Sequence, residues 1–316
     1  MYVWLDKSAF VRAADATALR SRPKVAKKSE KLIMARIWLG TSSFTAAGWE
    51  GAFYPARMQP RDFLRYYATR FDTVEVDSTY YHAPSAPVVT GWANKTPPGF
   101  LLAAKVPQTI THEKCLVDCE AELKTFLETM RILGDKLGPL LLQFPYFDQS
   151  VFPSGADFLS RLKFFLANLS TEFRFAIEIR NKGWLTAEFF DLLRAHHIAY
   201  ALTDQSWMPG PNEIFEQFDP ITADFTYIRW LGDRKGIERV TKVWNRIVVD
   251  RTAEMTSWVD VCKKIQRRGV TIFGYFNNHY AGFGPESVRL FRETGAANGL
   301  EIPVVQPPPP ANPTLF

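Results

Sequence analysis

Cysteine is scarce in this chain: Cys115, Cys119 and Cys262 are the three it has. An odd count excludes a fully paired disulfide framework, and the four-residue step from Cys115 to Cys119 is not the C-x-x-C spacing of a zinc or redox pair. Free thiols in a reducing cytoplasm are the expectation. Long apolar runs are missing too. None approaches the roughly 18–20 residues that a membrane helix needs, and the opening residues carry Asp6 without the apolar stretch of a secretory signal. A cytoplasmic protein without a membrane partner is therefore expected. The first convincing strand runs into Gly40-Thr41-Ser42-Ser43-Phe44, which lacks the G-x-G-x-x-G turn of a dinucleotide-binding sheet. No H-E-x-x-H pair offers a local zinc site.

What the chain does have is apolar material. Its 316 residues are 47% hydrophobic and 14% aromatic, enough for one large core and too much for a disordered chain. The formal net charge of +5 leans toward anionic ligands without deciding for them. Residues 20–31 read RSRPKVAKKSEK, a basic run with almost nothing to bury, and Pro307 to Pro310 cannot join a helix or a central strand. The expected organisation is a basic tail over 1–33, one domain over 34–303 and a proline-rich tail over 304–316, with Met34 as an alternative start.

Within the body, short apolar runs alternate with helical spacing. Candidate strands are Arg36–Thr41, Thr73–Ser78, Phe100–Val106, Pro139–Phe144, Arg174–Ile179, Ile198–Thr203, Phe225–Leu231 and Val270–Phe276. Runs such as Leu140-Leu141-Leu142 suit strands covered on both faces. Between strands, Leu123, Phe126, Leu127 and Met130 share one helical face, and Ser154 and Thr186 are placed to cap helices. Eight strands alternating with helices predict a single-domain TIM (β/α)8 barrel with a parallel eight-stranded sheet.

Barrel chemistry sits at the C-terminal ends of the strands, so polar residues there are the candidates. Glu75 and Asp77 share a face of the second strand. Lys105, Gln143 and Arg229 lie at or near the ends of the third, fourth and seventh strands, Glu178 and Arg180 share a face at the end of the fifth, and Asp204 follows the sixth. The eighth runs into Asn277-Asn278-His279. Glu178 is the preferred general base, with Asp204 and Glu75 as further acid/base groups, and Lys105 and Arg180 are the preferred anion contacts. The bland alternative is an ion-pair lattice that only closes the barrel top. Asp77 has two open roles, bonding loop amides or acting in the site. Asn277 and Asn278 likewise suit either substrate contact or loop capping. His196 and His197 end a helical stretch and are expected at the surface.

The segments LGTSSFTAAGWEGAFYP, FDTVEVDSTYYHAP, PPGFLLAAKVPQTITH, LLLQFP, AIEIRNKGW and YFNNHYAGFGPES resemble the YecE-like family of unknown function, domain of unknown function 72. The resemblance covers nearly all of the body, in order, and implies a barrel fold but no reaction. Carried over by position, it points to Gly40, Glu75, Ser78, Thr79, Tyr81, Lys105, Thr111, His112, Gln143, Glu178, Arg180, Trp184, Asp204, Arg229, Asn277 and Asn278. Two positions depart from it: Asp77 replaces a usual asparagine, and Leu231 a common histidine.

Three functions follow as expectations. The first is an enzyme acting on a small phosphorylated or carboxylated, sugar-like metabolite, with Lys105, Arg180 and Arg229 on the anion and Gln143, Asn277, Asn278, His112 and Tyr81 as further ligand contacts. It needs no cofactor. The loop Gly232-Asp233-Arg234-Lys235-Gly236 lies where barrels often bind phosphate. The second is a metal-dependent nuclease or isomerase, with Glu178, Asp204, His112 and His279 offering a divalent metal carboxylate and imidazole ligands. The third is a non-catalytic nucleic-acid-associated protein using the basic tail. Oligomeric state is not legible in the sequence.

Overall fold

The computed structural model describes residues 35–303. The expectations for 1–33, for Met34 as a start and for 304–316 lie outside the described residues, as does the basic run on which the nucleic-acid reading rests.

Eight parallel strands form the barrel: β1 (Ile37–Thr41), β2 (Thr73–Val76), β3 (Leu101–Lys105), β4 (Leu137–Gln143), β5 (Phe175–Glu178), β6 (Ala199–Asp204), β7 (Phe225–Trp230) and β8 (Thr271–Phe276). Each pairs with its sequence neighbour from β2 round to β8, and β8 closes on β1 with Ile37 opposite Ile272. The intervening helices are α1 (Phe63–Tyr67), α2 (Ala86–Lys95), α3 (Glu120–Met130), α4 (Gly155–Ala167), α5 (Ala187–Ala195), α6 (Pro211–Gln217), α7 (Arg234–Val240), α8 (Thr252–Arg267), α9 (Asn278–Ala281) and α10 (Gly284–Ala297). The TIM-barrel expectation holds, with strand bounds shifted by at most two residues. The second strand stops two residues early: it ends at Val76, and Asp77–Tyr80 turn into a short 3-10 helix.

Local signals act where the sequence puts them. Ser154 Oγ accepts from the Asp157 amide and Thr186 Oγ1 from the Phe189 amide, each satisfying a helix-start donor that would otherwise lack a partner. The apolar faces of α3, α4 and α5 then bury Phe126, Met130, Phe158, Leu162, Phe189 and Leu193 against the outside of the strands. Cys115, Cys119 and Cys262 are buried free thiols. Past α5, His196 is half-buried and His197 exposed, the latter at φ 53° where the chain turns.

Alternation along the strands builds a second cluster inside the barrel. Ala103, Ala176, Ala199 and Ala201 leave room on one side for Phe225, Tyr227, Phe273 and Tyr275 on the other. Close packing of this small-against-large kind fills the interior, so among the described residues the barrel is plugged by side chains.

The seam between β1 and β2 is made differently from the other strand pairs. The Tyr67 hydroxyl, brought in by α1, accepts from the Thr41 amide at 2.8 Å and donates to the Thr73 carbonyl at 3.3 Å. Gly40 makes this possible, since a Cβ there would stand 2.1 Å from the Thr73 oxygen. Tyr67 is fully buried, so both backbone groups depend on it. Tyr67→Phe is expected to cost about 1–3 kcal/mol, the penalty for stranding buried polar groups. It should lower the urea midpoint with an unchanged m-value. An unshifted midpoint would mean that solvent replaces the phenol.

Candidate functional site

Strand parity delivers Glu75, Lys105, Gln143, Glu178 and Arg229 to one level at the C-terminal end of the barrel, and Arg229 organises them. Its Nη2 and Nε donate to Glu75 Oε1 at 2.8 and 3.2 Å, and its Nη1 donates to Glu178 Oε2 at 2.7 Å. The other Glu75 oxygen accepts from the Tyr227 hydroxyl at 2.6 Å, and the other Glu178 oxygen from Arg180 Nε at 3.1 Å. Glu75 and Glu178 are 0% exposed and Arg229 3%, so this is a fully desolvated network. Such charges persist only because every one is paired and bonded. Burial would raise the Glu178 pKa, but the charges of Arg229 and Arg180 outweigh it and hold the carboxyl below its usual range. Burial alone would depress Arg229, but Glu75 and Glu178 more than compensate and push its pKa up.

Above this layer opens a cavity of about 770 Å³, walled among others by Asp77, Lys105, His112, Arg180, Trp207 and Arg234. Lys105 Nζ donates to Gln143 Oε1 at 3.0 Å and lies 4.1 Å from the centre of the Tyr80 ring. Among the described residues it has no carboxylate within ion-pair distance. Burial, then repulsion from Arg229, lowers its pKa to about 8. The Lys105 carbonyl accepts from Thr79 Oγ1 at 2.7 Å, which ties the end of β3 to the turn after β2. Asp77 moves the opposite way: burial and then the charge of Glu75 raise it to about 6. His112 is lowered to about 4 by burial and by Lys105, its Nδ1 2.8 Å from Thr111 Oγ1. Asp77 from one side and Lys105 and His112 from the other are thus shifted toward neutrality around one cavity.

Of the residues expected from the sequence, Lys105, Gln143, Arg180, Arg229, His112, Tyr81 and Asn277 line the cavity. Glu75 and Glu178 lie beneath it. Asn277 Oδ1 accepts from the His279 amide at 2.9 Å, so it caps α9 while bordering the cavity. Asp204 and Asn278 do not line the cavity. Asp204 is the last residue of β6, and parity turns its carboxylate outward to accept from Trp258 Nε1 on α8 at 2.7 Å. Its carbonyl accepts from the Leu231 and Gly232 amides, shaping the turn after β7. Asn278 Oδ1 accepts from Trp49 Nε1 at 3.2 Å and from the Gly284 amide at 2.9 Å, a bracing role behind the rim. Trp184 also stands apart, stacked 4.8 Å from Phe158.

The metal reading required Glu178, Asp204, His112 and His279 to converge. Glu178 is spent on two arginines, Asp204 faces α8, and His279 Nε2 bonds Glu238 at 3.0 Å. Among the described residues no group of three His, Cys, Asp or Glu side chains could hold a metal ion. No helix of the described residues is long and apolar enough to cross a membrane.

Three residues at the site, Tyr227, Tyr146 and Trp207, carried no sequence signal. Tyr227 reads as an ordinary strand aromatic, yet its phenol completes the Glu75 shell. Tyr146 and Trp207 are 68% and 46% exposed on loops, and with Tyr81 at 67% they set aromatic faces around the opening. Arg234 begins α7, capped by Asp233 accepting from the Gly236 amide at 3.0 Å, and reaches the wall from the loop flagged for phosphate.

The model described as "Protein of unknown function DUF72" matches residues 38–313. UPF0759 protein YecE of Escherichia coli (strain K12) is 34% identical over 118 residues, 37% of this chain and 41% of that protein. The match thus spans well under half of YecE. UPF0759 protein YunF of Bacillus subtilis (strain 168) is 22% identical over 254 residues, 74% of this chain and 88% of that protein. Among solved structures, a DUF72 family protein from Thermotoga maritima superposes with a TM-score of 0.63 at 24% identity, covering 82% of this chain and 98% of that one. One from Enterococcus faecalis gives 0.61 at 20% identity, covering 82% and 95%. These structural likenesses speak for the fold, and the family match over most of the body settles membership: the chain belongs to the DUF72 family of proteins of unknown function.

Proposed function

We propose that the cavity binds a small phosphorylated or carboxylated metabolite and moves a proton on it, so that the protein is an enzyme. The observation that carries this reading is the division of charge by depth. The carboxylates of Glu75 and Glu178 are sealed below the floor, whereas Lys105, Arg180 and Arg234 border the space and Asp77 is the carboxylate on the wall. An entering anion meets Arg180, whose counter-charge Glu178 is fixed and already desolvated, and Lys105, which has no carboxylate partner among the described residues, an arrangement that favours binding over ion-pair exchange. Asp77 is the proton carrier in this reading. Glu178, with both oxygens occupied, serves to hold Arg180 and Arg229 in place.

Binding of inorganic phosphate, pyruvate and a sugar phosphate, followed by calorimetry and by thermal shift, tests it. At a ligand concentration of 100 Kd the parent should gain about 2.7 kcal/mol of stability. Arg180→Ala should bind at least tenfold more weakly, having lost a planar donor that no lysine replaces in shape. A parent indifferent to all three anions, or an Arg180→Ala variant that binds them equally well, would remove the anion site.

A further inference from the structure

The partner of Lys105 is unusual for a buried lysine. Arg229 and Arg180, its neighbours, each bind carboxylate oxygens, which keep a cation charged. Lys105 is instead held by the neutral Gln143 side chain, whose own amide is committed to the Phe144 carbonyl at 2.6 Å and so cannot turn away easily. The lysine stem is buried, the backbone is pinned by Thr79, and the amine borders a cavity large enough for a small metabolite. A rigidly placed amine with a weak hold on its proton is the form in which lysine acts as a nucleophile.

We propose that Lys105 captures carbonyl compounds: its amine condenses with an anionic aldehyde or ketone held in this cavity to form an iminium on the protein. This rests on the anion-binding reading of the same cavity. In the reaction the ammonium first loses one proton, relayed through solvent in the cavity to the Asp77 carboxylate. The freed nitrogen lone pair attacks the carbonyl carbon, a C–N bond forms, and the carbonyl π electrons pass to oxygen. Transfer of the second nitrogen-bound proton to that oxygen leaves a neutral carbinolamine. Protonation of its hydroxyl by Asp77 expels water, and the nitrogen lone pair closes the C=N bond. Amine, carbonyl and one proton thus become iminium and water, with no change of oxidation state. Once formed, the iminium acidifies the adjacent C–H, and the Asp77 carboxylate just regenerated is the base beside it. The depressed amine pKa, about 8, agrees with this role, since it leaves far more free amine at neutral pH than an exposed lysine has.

The experiment is reductive trapping. Protein is incubated at neutral pH with pyruvate or dihydroxyacetone phosphate, reduced with borohydride, and peptide-mapped by mass spectrometry. The expected result is one reduced adduct per chain on Lys105, formed at least tenfold faster than on any other lysine. It should be absent in Lys105→Arg, which keeps the charge, and be slowed by excess inorganic phosphate. Adducts spread over surface lysines, with Lys105 unmodified in the parent, would overturn the proposal. If phosphate still bound through Arg180 in that case, the anion site would stand without the imine. Rapid labelling of Lys105 by both probes with no phosphate competition would uphold the amine and remove the anion reading.

Discussion

Replacing Arg229 with methionine should lower the melting temperature by on the order of 10 °C, the largest loss expected from any single change at the rim. Arg229 alone joins Glu75 on β2 to Glu178 on β5, supplying three hydrogen bonds between strands that do not pair with each other. Its removal leaves the buried Glu75 with no counter-charge and the buried Glu178 with Arg180 alone, and breaking one buried pair already costs about 3–5 kcal/mol. The combined variant Glu75→Gln, Glu178→Gln, Arg229→Met should recover at least half of the loss, because a neutral buried set carries no stranded charge. Thermal melts of the parent and both variants decide it. A single variant that melts with the parent would mean that water reaches the network and that its apparent seal is not real.

Asp77→Asn should do the reverse and stabilise the protein at neutral pH while abolishing proton transfer. The Asp77 carboxyl is raised from the ordinary 3.8 to about 6 by burial and by the charge of Glu75, against the pull of Lys105 and Arg229. A native state that holds its proton more tightly than the unfolded chain loses stability as pH rises through that interval. The parent therefore carries the full penalty above about pH 6 and none below about pH 4. A shift of that size corresponds to roughly 3 kcal/mol at most, and partial solvation of the half-buried side chain reduces the expectation to about 1–2 kcal/mol. Asparagine keeps the shape of the neutral acid and is the residue that the family resemblance leads one to expect here. Parent and variant should thus have similar urea midpoints at pH 4 and diverge by pH 7 in favour of the variant. Equal differences at both pH values would show that the effect is packing and has no part in titration.

The legible part of this protein was its parity. Period-two alternation suffices to send Glu75, Lys105, Gln143, Glu178 and Arg229 to the inside and to assign them to one end, because the strands are short and apolar on both faces. Asp204 shows where that reasoning breaks. Ending the sixth strand at Thr203 left the next residue free to enter the mouth, whereas the strand continues by one residue and the same alternation sends Asp204 outward to Trp258. A boundary error of one residue reverses a side chain, and boundaries are the least determined feature of a sequence reading. Asn278 failed differently. An asparagine pair after a strand fits substrate contact and helix capping equally, and only the positions of Trp49 and Gly284, far away in sequence and close by, tell which. Glu178 was visible as a charge but not as a charge already spent, since its partner Arg229 is 51 residues on. Tyr146 and Trp207 belong to loops, where no periodicity marks a side chain as facing inward or outward.

The Tyr67 seam has a consequence for how the molecule behaves among its copies. An eight-stranded sheet laid out from β1 to β2 possesses two edges, and exposed strand edges are templates for recruiting another chain. Here the Thr41 amide and the Thr73 carbonyl, one on each edge, are both occupied by one phenol, and the close approach permitted by Gly40 leaves no width for an incoming strand. The tyrosine thus occupies the edge groups of Thr41 and Thr73 through which a strand from another copy would have to pair.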